Sequence, residues 1–168
     1  MDDKKLMTLY LDMLEFFTGD SRRCQHWVKV HSFAKQIALN EHMDEHELFV
    51  LEATAMLHDC GIRPGEEKYG ADHAHGYVQE VEGPPVAKIM LEKIGFEAKD
   101  IERICYLIGH HHTYTNIDGL DYQILVEADF LVNLHEKDAG KEVVANTVEK
   151  IFKTKTGIFM AKAMFGLN

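Results

Sequence analysis

The chain has 168 residues, 46% of them hydrophobic, which is typical of one globular domain with a full core. Its 28 acidic and 18 basic residues give a net charge of -10, which repels nucleic-acid backbones and excludes polymeric DNA or RNA as an expected partner. The three cysteines form no CxxC pair, so we expect reduced thiols in a cytoplasmic protein rather than disulfides or a zinc ribbon. No apolar run approaches the roughly 20 residues of a membrane span, and the N-terminus lacks the pattern of a signal peptide.

Apolar residues recur at intervals of three and four along most of the chain, and no stretch alternates as a strand does. The sequence therefore predicts an all-α, single-domain compact bundle of about six to eight helices over residues 1–168. The first helix, with Leu6, Leu9 and Met13 on its apolar side, is expected to serve packing alone. Residues 139–166 are expected to form one or two packing helices.

The second predicted helix runs from about Arg22 to Asn40. Its inward stripe consists of Trp27, His31, Ala34 and Ala38. This spacing places His31 on the buried face, and His26 falls off the stripe. A lone histidine on an apolar stripe is more often a hydrogen-bonded core residue than a metal ligand, so the role of His31 depends on partners from other helices.

A third helix is predicted to begin at Asp44, with Glu47 in the capping-box position. It ends in an adjacent His58-Asp59 pair, which Gly61 follows. Neutral imidazole and carboxylate together form a ligand set for Zn, Fe, Mn or Ni, and a metal offsets the cost of burying both groups. The alternative is a capping or salt-bridged pair at a helix end.

The glycine-rich segment 61–85 is expected to form a rim or lid, in which His73 and His75 are open candidates. Pro84 and Pro85 predict the first turn of the next helix. Glu82 would then lie just before a helix N-terminus, where a carboxylate is either a metal ligand or a partner of the helix dipole.

A fifth helix, from Asp100 to about His111, ends in His110, His111 and His112. Three adjacent histidines cannot face one direction on a helix, so at most one or two of them are expected to be ligands. The next helix turns Asp129 towards a broad apolar face, where a carboxylate rarely stays unpaired.

The order of a helical histidine, a His-Asp pair and a later helical aspartate resembles the HD superfamily of metal-dependent phosphohydrolases over about residues 22–136. The resemblance implies that one metal is bound by His31, His58, Asp59 and Asp129. It also implies that Asp59 bridges to a second ion and that His58 and Asp59 have catalytic roles. The expected cofactor is one or two divalent transition-metal ions, namely Fe, Mn, Zn or Ni.

Many binuclear members, including the diadenosine tetraphosphate hydrolases that the chain distantly resembles, have a His-Gly-Pro-Val-type sequence after the lid. Here this place reads Glu82-Gly83-Pro84-Pro85-Val86-Ala87. Glu82 is therefore expected to bind the second metal together with His110 or His111. The family's His-Asp-x-Gly-Lys form is also altered, because Ile62 occupies the place of the lysine.

The resemblance implies hydrolysis of a phosphoester or phosphoanhydride by metal-activated water. The expected substrate is a small phosphorylated compound, in particular a nucleotide. Two alternatives remain open, namely a di-iron oxygenase of the HD type and a non-catalytic module that binds a metal or a nucleotide.

Overall fold

The structure, a computed structural model, describes residues 3–168, which are helical with short connections and contain no strand. The all-α prediction is confirmed. The helices are α1 (Asp3–Phe16), α2 (Ser21–Asn40), α3 (Glu45–Leu57), α4 (Ile62–Tyr69), α5 (Gly76–Ile94), α6 (Ala98–Ile108), α7 (Leu120–Glu136), α8 (Lys141–Ile151) and α9 (Lys155–Phe165), with a 3₁₀ turn at Ala71–His73. Within residues 3–168, no helix combines the length and apolar character that a membrane crossing requires.

Aspartate side chains cap the N-termini of the two helices that follow α1. Asp20 accepts a hydrogen bond from the Arg23 amide at 3.0 Å and so caps α2. Asp44 accepts from the His46 and Glu47 amides and caps α3, as the sequence predicts. These caps fix where each helix starts, and therefore which side chains its buried face carries.

Helix α3 is the central element, because every residue from Leu48 to Leu57 is buried. One apolar cluster joins α3 mainly to α1, α5 and α6. A second cluster joins it mainly to α2, α7, α8 and α9. The C-terminal end of α3 is therefore held inside the protein, and with it the fully buried His58.

Helix α7 is anchored to the C-terminal helices by a buried carboxylate. Glu127 is fully buried and accepts hydrogen bonds from the backbone amides of Lys153 and Thr154, at 2.6 and 2.9 Å. The Thr154 hydroxyl, which also caps α9, donates to the other carboxylate oxygen. These bonds fix the position of α7, the helix that carries Asp129.

Helix α5 differs from the prediction. It begins at Gly76 rather than at the proline pair, and it continues through Pro84 and Pro85. Each proline removes a backbone hydrogen bond, but close packing on α6 holds the helix together. A Cβ atom added at Gly83 would lie 2.6 Å from an α6 side chain. Glu82 therefore lies within the helix, and the interpretation that it complements an N-terminal dipole is wrong.

Candidate metal centre

Six histidine and aspartate side chains from four parts of the chain converge near the C-terminal end of α3. We call this group the candidate metal centre. It consists of His26 from α2, His58 and Asp59 from the turn after α3, His111 and His112 from the turn after α6, and Asp129 from α7. Their ligand-type atoms form two sets in which all members lie within 4.8 Å of one another.

The first set contains His26, His58 and Asp129, all of which are buried. The His26 Nε2 atom lies 3.3 Å from His58 Nε2 and 3.2 Å from Asp129 Oδ1. Asp59 Oδ2 lies 3.4 Å from both imidazole Nε2 atoms. Two imidazole nitrogens and two carboxylates thus face one small volume.

The second set contains Asp59, His111 and His112. Asp59 belongs to both regions, because its Oδ2 atom faces the first set and its Oδ1 atom lies 3.6 Å from His111 Nε2. The His111 and His112 rings are 4.0 Å apart. Asp59 is therefore placed between the two sets, where a bridging carboxylate would lie.

In His58 and His111, the ring nitrogen that points away from the centre (the outer nitrogen) donates a hydrogen bond to a backbone carbonyl. The Nδ1 atom of His58 donates to the Ala55 carbonyl at 2.8 Å, and that of His111 donates to the Ile108 carbonyl at 2.7 Å. A proton on Nδ1 leaves the lone pair on Nε2. The Nδ1 contacts therefore leave Nε2 as the nitrogen of each imidazole that faces the centre and could bind a metal.

Mutual attraction shifts the pKa values of the buried charges. Burial favours the neutral acids, but the neighbouring imidazoles outweigh burial and hold the pKa values of Asp59 and Asp129 below their usual range. Burial also disfavours charged imidazoles, but the two carboxylates raise the pKa of His26, and raise that of His58 well above its usual value. Without a metal, the two carboxylates thus favour the protonated form of both imidazoles.

His112 differs from the other imidazoles. Burial, and to a lesser extent the neighbouring His111, lower its pKa to about 4. Its Nε2 atom contacts Gln79 Oε1 at 2.8 Å. His112 is therefore neutral at neutral pH, which is the form of imidazole that binds metals.

The residues present fit a transition-metal ion. His111 Nε2 is buried and has no hydrogen-bond partner, and such an atom is rarely left unsatisfied in a folded protein. Imidazole nitrogens and carboxylate oxygens are also the ligand mixture that binds Zn, Fe, Mn or Ni. The centre can therefore hold a metal ion.

An open cavity of about 720 Å³ gives access to the centre. His26, Asp59, His112 and Asp129 form part of its lining. Arg22, Lys137, Tyr114 and Phe130 also line it. The Tyr114 and Phe130 rings are 5.0 Å apart. The site thus combines a metal-type ligand set with cationic and aromatic side chains in one cavity.

The structure brings together His58, Asp59, His111 and Asp129 of the residues expected from sequence, but it does not bring His31 to them. His31 Nε2 lies 2.8 Å from Glu52 Oε1, in a separate groove between α1, α2 and α3. This placement corrects the sequence-based assignment, and the centre contains His26 instead. Five residues on a helix correspond to about 140° of rotation, so the two histidines point in different directions.

A sequence signal for His26 does exist. Counting from His26, the positions i+4, i+8 and i+11 are Val30, Ala34 and Ile37, and all three are fully buried. Helix α2 is buried over a wider face than a single stripe, because α3 and α7 both pack on it. A single apolar stripe on this helix predicts His31 as the inward histidine and leaves out His26.

Glu82 and His110 also lie apart from the centre. Glu82 Oε2 pairs with Lys68 Nζ at 2.6 Å, and Glu82 Oε1 accepts a hydrogen bond from the Tyr69 hydroxyl. His110 Nδ1 donates to the Tyr106 carbonyl at 2.7 Å, and its ring stacks on Tyr106. Among the described residues, the second set therefore pairs His111 with His112, where the sequence predicts Glu82 together with His110 or His111.

The two lid histidines also stay outside the centre. His75 lines the cavity wall, whereas His73 lies in the 3₁₀ turn.

Comparisons with known proteins support the fold. No protein-family model matches the sequence, and a search of curated proteins finds no match. The structure is similar to the 1.45 Å crystal structure of a predicted HD superfamily hydrolase from an uncultured Thermotogales bacterium. The TM-score is 0.64 at 25% sequence identity, and the match covers 97% of this chain and 84% of that chain. The protein therefore has the fold of an HD domain.

The two histidines of α2 provide a direct test of the centre. We expect His26→Ala to weaken metal binding by about tenfold or more, because it removes an inward imidazole. His31→Ala should leave metal content unchanged, since His31 pairs with Glu52 in another groove. Metal analysis after Zn²⁺ loading and desalting measures both. Loss of metal from His31→Ala with retention in His26→Ala would contradict the placement.

The raised pKa values of His26 and His58 predict that metal binding displaces protons. A raised pKa means that the metal-free imidazoles keep their protons to a higher pH than an ordinary histidine does, and a metal competes with those protons. Affinity should therefore fall as the pH is lowered from 8 to 6, by at most about tenfold per unit for each proton displaced. Calorimetry of Zn²⁺ binding in buffers of different ionisation enthalpy measures the proton release. Binding without proton release would contradict this description.

Proposed function

We propose that this protein, which has the fold of an HD domain, is a metal-dependent phosphohydrolase. Its substrate would be a small phosphorylated compound, in particular a nucleotide with a phosphoester or phosphoanhydride bond. The observation that carries the proposal is the convergence of inward imidazole nitrogens and two carboxylates at an open cavity. The similarity to a predicted HD superfamily hydrolase supports the broader class, a hydrolase.

Each of the two sets of residues would hold one of two metal ions. His26, His58 and Asp129 would hold one ion, His111 and His112 would hold a second, and Asp59 would bridge them. When bound, divalent Fe, Mn, Zn or Ni ions lower the pKa of a coordinated water and polarise phosphoryl oxygens. Such ions also neutralise a pair of carboxylates that are costly to bury together.

The protein's own residues orient this ligand set. Asn133 donates a hydrogen bond from Nδ2 to Asp129 Oδ1 at 2.8 Å, and so fixes that carboxylate. Because Asp59 and Asp129 have depressed pKa values, both stay ionised at neutral pH. The site is therefore preorganised with its anionic oxygens already in place before substrate binds.

The cavity supports a substrate of nucleotide size. Its volume of about 720 Å³ falls within the roughly 300 to 1,000 Å³ of small-molecule sites. Arg22 and Lys137 bring positive charge to the wall that a phosphorylated compound would face. Tyr114 and Phe130 offer aromatic rings on which a base can stack. The net charge of -10 disfavours a nucleic-acid polymer as substrate.

The proposal predicts that the wild-type protein hydrolyses a phosphoester or phosphoanhydride with added Mn²⁺, Fe²⁺, Zn²⁺ or Ni²⁺. We expect Asp59→Asn to lower kcat by at least about 100-fold, since the bridging charge is lost. Phosphate release across a panel of nucleotides, dinucleotides and simple phosphoesters measures this.

The control variant is Asp138→Asn, which changes an exposed aspartate outside the centre and should keep full activity. If no phosphoester is cleaved while oxygen is consumed with an iron-loaded sample, an HD-type oxygenase replaces this proposal. If neither reaction occurs but metal or nucleotide binds, the protein is a binding module.

The aromatic pair predicts how the substrate is selected. Phe130→Ala should raise KM for a nucleoside monophosphate about tenfold, because stacking on an aromatic side chain is worth about 1 to 3 kcal/mol. KM for ribose 5-phosphate, which has no base, should change little. Steady-state kinetics measure both, and Phe159→Ala, which changes a ring exposed on α9, is the control. Equal changes for the two substrates would contradict base stacking at Phe130.

A further inference from the structure

The imidazoles of the candidate metal centre differ in what holds their outer nitrogens. His58 and His111 donate from Nδ1 to backbone carbonyls. His26 instead has a carboxylate at this position, since its Nδ1 atom lies 2.9 Å from Glu136 Oε2. His26 is therefore the member of this group whose outer partner carries a full negative charge.

Glu136 is well placed to keep this contact. It is the last residue of α7, seven positions after Asp129 and so about two helical turns along. Its side chain is only 19% exposed. Its other oxygen, Oε1, accepts a hydrogen bond from Lys29 Nζ at 2.8 Å. Lys29, Glu136 and His26 thus form a chain from the surface of α2 to the centre.

We propose that Glu136 is a positioning residue for the metal centre, and that Lys29 regulates its effect. Glu136 fixes the His26 ring so that Nε2 points into the centre, and its charge makes that nitrogen a stronger donor. Lys29 shares the same carboxylate and so limits the charge that His26 feels. This inference rests on the metal centre of the proposed function but does not depend on the reaction.

The physical basis is the difference between a charged acceptor and a neutral one. A hydrogen bond from Nδ1–H to a carboxylate increases the electron density on Nε2, and outer partners of this kind typically change metal affinity by about 10- to 100-fold. A backbone carbonyl, as at His58 and His111, offers only a dipole. An ammonium group that shares the carboxylate withdraws part of its charge, so Lys29 opposes Glu136.

The two residues therefore have opposite predicted effects. Glu136→Gln keeps an acceptor oxygen but removes the charge, so Co²⁺ affinity should fall about tenfold. Lys29→Met removes the competing cation, so Co²⁺ affinity should rise by about threefold. The double variant should bind like Glu136→Gln alone, because Lys29 acts only through Glu136. Titration of the visible absorption of protein-bound Co²⁺ measures each affinity without substrate.

The chain offers a matched control in the groove that holds His31. There His31 Nε2 contacts Glu52 Oε1 at 2.8 Å, and Lys35 Nζ contacts the same oxygen at 3.0 Å. Glu52→Gln and Lys35→Met therefore break the same kind of trio away from the centre. Neither should change Co²⁺ affinity.

A purely structural role for the trio of Lys29, Glu136 and His26 gives a different result. In that case Glu136→Gln and Lys29→Met would both lower stability in urea, and Co²⁺ affinity would fall in both or change in neither. Either outcome overturns the inference, and so does a wild-type protein that fails to bind Co²⁺. If Co²⁺ affinities shift in opposite directions while no phosphoester is cleaved, the inference holds and the proposed hydrolase function fails.

Discussion

The structure depends on the attraction between two carboxylates, the buried Asp129 and the partly buried Asp59, and the imidazoles that face them. Asp59 and Asp129 repel each other, and each would be costly to bury alone. The facing imidazoles hold both pKa values below their usual range despite burial. Because the imidazoles come from α2, from the turn after α3 and from the turn after α6, charge balance at this point requires these elements to meet α7. The same balance favours a divalent cation.

The scaffold keeps the site rigid through hydrogen bonds outside the centre. Backbone carbonyls hold His58 and His111, Asn133 holds Asp129, and Glu127 anchors α7 to the C-terminal helices. Because His58, His111 and Asp129 have partners outside the centre, these three side chains do not need a metal to keep their approximate positions. A site held in this way offers its ligands without a large cost of reorganisation.

The sequence predicted the helical class, the cap of α3 and the inward directions of His58, Asp59 and Asp129, because these follow from local periodicity and capping. The prediction from sequence was wrong where packing between helices determines the position of a side chain. His26 was missed because α2 is buried on more than one side, and Glu82 was misplaced because packing on α6 carries α5 through two prolines. From sequence, any of the three histidines from His110 to His112 could be a metal ligand. The direction of the chain after Gly109 places His111 and His112 beside Asp59.

The central claim is that a metal binds where the inward imidazole nitrogens and the Asp59 and Asp129 carboxylates converge. Anomalous diffraction from crystals grown with Zn²⁺ or Mn²⁺, recorded on both sides of the absorption edge, tests it most directly. The account predicts an anomalous peak among His26 Nε2, His58 Nε2 and Asp129 Oδ1, with a second peak beside His111 at higher metal concentration. A peak at His31 and Glu52, or none at the centre in metal-soaked crystals, would contradict it.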